Sequence, residues 1–144
     1  MNVRLLILAV VAALAVGVGT AAAGTIVGTN GPDRLHGTAF ADRIDGKAGD
    51  DVIFGHAGDD VLLGGPGNDT IWTGLGRDYT SGGPGDDTLY ALANDNRLDT
   101  LDCGPGNDTA YLNAAERART VGCERVIVLS AADAAATSAA NGDG

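Results

Sequence analysis

The chain has 144 residues, 19 of them acidic and nine basic, for a formal charge of −10 at pH 7. That length predicts one domain, and that charge argues against nucleic acid and anionic membrane surfaces as partners. Seventeen of the acids are Asp and two are Glu, a bias toward short carboxylates that suit turns and can ligate a metal there.

Residues 1–23 read as a secretory signal. Arg4 supplies a lone positive charge, an apolar run follows from Leu5, and Ala21-Ala22-Ala23 forms an A-x-A site before Gly24. The rival reading is a retained membrane anchor, but the strongly apolar stretch Leu5–Val18 has 14 residues and is short for a span. Cleavage would remove Arg4 and leave eight basic against 19 acidic residues, or −11. The expected product is secreted and extracellular, with no membrane contact after cleavage.

From Gly28 to Tyr90 the chain divides into seven nine-residue units, beginning GTNGPDRLH, GTAFADRID, GKAGDDVIF. Positions one and four are Gly in six of the seven. Position six is Asp in all seven, and position eight is Leu or Ile in six, with Thr80 the exception. A fixed period of this kind specifies an array in which each unit packs on its neighbours. Gly at one and four permits a tight turn over positions one to six, and positions seven to nine suit a three-residue strand whose middle side chain points inward. Two units then complete one coil of a flattened spiral, so units i and i+2 stack. The predicted fold is all-β: a parallel β-roll, or β-solenoid.

Stacking places Asp33, Asp51, Asp69 and Asp87 along one edge and Asp42, Asp60 and Asp78 along the other. Strands in neighbouring coils lie ~4.8 Å apart, and carboxylates so close repel unless a cation separates them. Turn carbonyls and Asp oxygens are hard ligands, and with no Cys or His at metal spacing they suit Ca²⁺. Counting the intervals predicts three sites on the first edge and two on the second, five in all.

These units resemble the RTX, or haemolysin-type, calcium-binding repeat G-G-x-G-x-D-x-U-x. The resemblance covers Gly28–Tyr90 and resumes at CGPGNDTAY, Cys103–Tyr111. It implies a β-roll with Ca²⁺ between successive turns, held by the seven Asp and by backbone oxygens. Two departures bear on it. Phe40 replaces Gly at position four of the second unit, which weakens the expectation at Asp42, and Thr73 and Thr80 make the sixth unit irregular, which weakens it at Asp78.

After Tyr90 an insertion, Ala91-Leu92-Ala93, shifts the register. Asp99 and Asp108 then return at position six, each 21 residues beyond its counterpart instead of 18, and are carried as further candidate ligands. VGCERVIVLS reads as a closing strand, so residues 24–111 are expected to form the roll and 112–129 a cap. The whole resembles small exported actinobacterial proteins of this family. In an exported chain Cys103 and Cys123 point to a disulfide over two free thiols, stapling the C-terminal end where a solenoid needs a cap. The Ala-rich tail 130–144 is expected to be disordered.

Position nine carries His36, Phe54, Trp72 and Tyr90 on one side of the roll. Pointing away from the core, these rings are expected to stack on one outer face, partly exposed. They serve either as a self-stacking ladder or as a docking strip for a protein or glycan partner. No catalytic constellation accompanies them: Ser81 lies in no nucleophile elbow, and GGPGNDT lacks the Lys of a phosphate loop. The expectation is a non-catalytic, exported calcium-binding protein. The alternative is an adhesin-like or accessory module of an exported hydrolase system.

Overall fold

The computed structural model describes residues 23–115 and 117–141, so the expected signal segment lies almost wholly outside the described residues. Every nonapeptide contributes one strand where positions seven to nine predict it. The strands are β1 (Thr25–Val27), β2 (Arg34–His36), β3 (Arg43–Asp45), β4 (Val52–Phe54), β5 (Val61–Leu63), β6 (Thr70–Trp72), β7 (Tyr79–Ser81) and β8 (Thr88–Ala91). Longer strands follow: β9 (Leu98–Asp102), β10 (Thr109–Asn113), β11 (Arg117–Val121) and β12 (Arg125–Leu129). Odd strands form one six-stranded sheet and even strands the other, all pairs parallel. Each strand pairs with the one two units away, because two nonapeptides complete a coil.

The register carries one core residue per rung. In one sheet Ile26, Ile44, Leu62, Thr80 and Leu101 align, and in the other Leu35, Ile53, Ile71, Leu89 and Ala110. Ile44, Ile53, Leu62, Ile71, Leu89 and Leu101 are fully buried between the sheets. A one-residue slip would move the whole apolar column to solvent, so this pattern pins the register. Thr80 takes the same inward place and its buried hydroxyl has no hydrogen-bond partner. The polar substitution interrupts the core without breaking the ladder.

Three expectations need correction. The cap is not one closing strand: β11 and β12 extend both sheets by a rung, and Cys103 and Cys123 are joined by a disulfide beside them. The tail from Ser130, read as disordered, forms helix α1 (Ala131–Asn141). Its Ala run favours a helix, and Ser130 caps it: Asp133 N–H donates to Ser130 Oγ, which donates back to the Asp133 carboxylate at 2.6 Å. The third correction concerns the aromatic column. The rings stack as expected and continue to Tyr111, with centroid separations of 4.6 Å (His36–Phe54), 6.3 Å (Phe54–Trp72), 3.8 Å (Trp72–Tyr90) and 4.8 Å (Tyr90–Tyr111). His36 stays exposed and Tyr90 and Tyr111 half-buried, but the two central rings are covered. Phe54 and Trp72 are only 2% and 3% exposed, because Leu92 from the insertion and Ala134 of α1 pack against them.

Candidate metal sites

Each turn brings its position-six Asp against the coil before it. The Oδ1 atom accepts the backbone N–H of the Asp one coil earlier. Asp51, Asp69, Asp87 and Asp108 thus accept from Asp33, Asp51, Asp69 and Asp87 at 2.7–2.8 Å. On the other edge Asp60, Asp78 and Asp99 accept from Asp42, Asp60 and Asp78 at 2.7–2.9 Å. All nine predicted Asp therefore fall on the two expected columns, and the three-residue insertion leaves both unbroken. Repulsion along each column is offset in part by these N–H dipoles, which the sequence reading left out.

The second oxygen is different. Asp51, Asp60, Asp69, Asp78, Asp87 and Asp108 are at most 2% exposed, and the Oδ2 of each has no hydrogen-bond partner. A buried acceptor left unpaired is costly, and a buried charge far more so. Burial therefore pushes the Asp78 carboxyl up to about 8, those of Asp60 and Asp87 to about 7, and that of Asp69 to about 6. The donated N–H acts against burial, and neighbouring Asp charges add to it. Asp51 and Asp108 move in the same direction.

What faces the Oδ2 of Asp51, Asp60, Asp69 and Asp87 is another acceptor. A Cβ added to Gly64 would collide with Asp69 Oδ2 and with the carbonyl oxygen of Gly82, one coil on. On Gly82 it would meet Asp87 Oδ2 and the Cys103 carbonyl, and on Gly55 Asp60 Oδ2 and the Thr73 carbonyl. Position one must be Gly in these turns because carboxylate and carbonyl oxygens converge where a side chain would begin. Among the described residues no three acidic, His or Cys side chains share one point. The donor set is one carboxylate oxygen with main-chain oxygens, the hard, oxygen-only kind that Ca²⁺ takes.

Asp33 and Asp42 differ from the rest. Asp33 Oδ2 accepts the Thr29 N–H at 2.6 Å and its hydroxyl at 3.0 Å, and Asp42 Oδ2 accepts those of Thr38 at 2.6 and 2.8 Å.

Sequence reasoning missed two features. Glu124 ends the first column, its Oε2 accepting the Asp108 N–H at 2.8 Å. The last turn has shrunk to Gly122-Cys123-Glu124, so no nonapeptide spacing reveals it; an acid two residues before the apolar run Val126–Leu129 was the available signal. Position five also builds an outer ladder: Asn68 N–H donates to Asp50, Asp86 N–H to Asn68 and Asn107 N–H to Asp86, at 2.8–3.0 Å. Alternation of acid and amide there halves the charge that a run of Asp would place on an exposed edge. Elsewhere, a cleft of about 640 Å³ between α1 and the turns is mostly apolar, and His56 is the one titratable side chain lining it. His56 Nε2 lies 3.1 Å from His36 Nδ1.

Parallel sheets wound from nine-residue units, with a carboxylate and main-chain oxygens meeting in each turn, define a repeat protein of the calcium-binding β-roll class. The chain belongs to the RTX calcium-binding nonapeptide repeat family: the four-copy family model matches residues 18–39, 27–62, 36–71, 54–89 and 72–110, together well over half the chain. The chain is also similar to the solution structure of the AlgE6R3 subunit from the Azotobacter vinelandii mannuronan C5-epimerase, at 29% identity. The match covers 57% of this chain and 46% of that one, with a TM-score of 0.33, too low to bear on fold or function. Comparison with curated proteins finds no match. The repeats make the chain a calcium-binding protein whose stacked Asp residues line the turns.

Proposed function

We propose that this is an exported, non-catalytic protein whose fold is completed by Ca²⁺ held between stacked turns. The ligands in this reading are Asp51, Asp60, Asp69, Asp78, Asp87 and Asp108, with main-chain carbonyls of the turns. One observation carries it: six buried Oδ2 atoms lack any donor, and four of them, on Asp51, Asp60, Asp69 and Asp87, lie against carbonyl oxygens. A cation between them satisfies both acceptors and removes the penalty on the charged carboxylates. Extracellular calcium modules bind at ~10⁻⁴–10⁻³ M, so millimolar calcium would stabilise the roll by linkage at several sites.

Export is supported by the signal-like pattern of residues 1–23 and by the disulfide, which persists in oxidising compartments. The non-catalytic reading is supported by the sequence, in which neither a nucleophile elbow around Ser81 nor the Lys of a phosphate loop accompanies the repeats. The adhesin-like alternative loses ground because the two central rings of the ladder lie under Leu92 and Ala134. Circular dichroism of the oxidised chain tests the calcium reading. The β signal should be strong in 5 mM Ca²⁺ (roughly five times the upper affinity limit) and should collapse in EGTA; an unchanged spectrum and melting point would refute it.

A further inference from the structure

We infer that the first two turns bind no metal: Thr29 and Thr38 occupy the carboxylate oxygens of Asp33 and Asp42 that an ion would otherwise take, so calcium loading begins at Asp51 and Asp60. The inference rests on the calcium reading above and assigns its ions to particular turns.

The two kinds of turn separate at position two. Lys47, His56, Gly65, Gly74, Gly83 and Gly104 stand there in the later units other than that of Asp99, all with positive φ between 72° and 109°. Thr29 and Thr38 stand there in the first two, and neither has positive φ. A β-branched residue strongly resists that region. In the later turns the chain swings position two away from the carboxylate, and Gly65 and Gly83 donate their N–H to the position-one carbonyls of the next coil, Gly82 and Cys103. In the first two turns the Thr main chain and hydroxyl instead face inward, and both donate to the same Oδ2.

Each Thr hydroxyl does a second job. Thr29 Oγ1 accepts the Gly31 N–H and Thr38 Oγ1 the Phe40 N–H, both at 3.2 Å. The hydroxyl thereby closes the turn from position two to position four without an ion. This accounts for Phe40, the one break in the position-four Gly column. Gly49, Gly58 and Gly67 take φ of 119° to 144° at that position, a conformation a Phe would resist, and Phe40 has no positive φ. A turn closed by Thr has no need of Gly at position four. The Oδ2 atoms confirm the division: those of Asp33 and Asp42 have partners, while those of Asp51 and Asp60, the next in each column, have none.

Calcium stoichiometry of the oxidised chain by equilibrium dialysis tests this. The unmodified chain should take up no more than seven ions, one for each column Asp from Asp51 onward, and a Thr29→Gly/Thr38→Gly variant should gain up to two. Eight or more in the unmodified chain, or no gain in a folded variant, would overturn the assignment. Glycine can also loosen these turns, so amide NMR shifts of the unmodified, folded chain decide independently when bound Ca²⁺ is exchanged for La³⁺. Thr29 and Thr38 should stay fixed while Lys47 and His56 move; equal movement of all four would overturn the inference even if the variant misfolds. Absence of any bound calcium in the unmodified chain would instead remove the calcium reading, and this assignment with it.

Discussion

At Asp69 the two carboxylate oxygens have opposite needs. Oδ1 accepts the Asp51 N–H, and Oδ2 faces the Gly82 carbonyl with nothing between. Asp69→Asn should therefore have effects of opposite sign in two conditions. In EGTA the amide removes a buried charge and can donate to that carbonyl, so the β circular dichroism signal that survives should rise. In saturating calcium a charged ligand is lost, so the melting temperature should fall. A fall in both conditions would mean the carboxylate matters for packing alone. The same oxygens set a pH dependence. The folded pKa values of Asp60, Asp69, Asp78 and Asp87, about 6 to 8, lie above the ordinary 3.8. A group raised in the folded state stabilises fully below its unfolded pKa, and that stability is lost as pH rises through the folded value. Metal-free protein should thus be most stable near pH 4 and lose stability steadily up to about pH 8. With calcium the trend should reverse over that window, since protons compete with the ion. The β circular dichroism signal against pH in EGTA, and thermal melts in calcium, both at fixed ionic strength, read the two signs.

Among the elements, the aromatic stack and α1 form a unit. Tyr90 stacks on Trp72 at 3.8 Å with planes 2° apart, and Ala134 closes over the ladder from the helix. Trp72→Ala removes a ring buried on both counts and should cost about 3–5 kcal/mol, as for other large buried aromatics; chemical denaturation in calcium measures it. Ending the chain at Ser130 should leave calcium uptake intact and shift Trp72 emission to the red, because α1 touches the ladder and not the Asp columns. The disulfide acts on another element. It joins Cys103, at position one of the last full unit, to Cys123, which directly precedes Glu124. Replacing both Cys with Ser should cost about 3 kcal/mol by relaxing constraint on the unfolded chain. It should also weaken the Glu124 contact to Asp108 more than any contact nearer β1.

The whole molecule is a thin stack whose core is one side chain per rung, under a strong negative charge. Self-repulsion of that kind destabilises a compact state, and the carboxylates that produce it are the same ones that line the turns. Calcium neutralises them where they are closest, so binding and folding should appear as one transition. Tyrosine and tryptophan fluorescence should follow the circular dichroism signal through a calcium titration. Separate midpoints for the two probes would show a roll that forms before its ions bind.

Period nine was enough to determine the strands, their parallel register, the buried column and the two Asp columns. All of these follow from stacking every second unit, and composition alone places the apolar residue inward and the Asp in the turn. The insertion at Ala91–Ala93 obscured the period without breaking the ladder, because longer strands β8 and β9 absorb the extra residues. Only the tertiary structure decided the rest. Whether a carboxylate oxygen is satisfied depends on where position two sends its N–H, which separates the Thr-closed turns of Asp33 and Asp42 from the six with an unpaired Oδ2. Glu124 joined the column through a contracted turn that no repeat template anticipates. The Ala-rich tail became a helix over Trp72 because a capped, strongly helix-forming segment met an apolar ladder, a contact between residues far apart in the chain that no local pattern encodes.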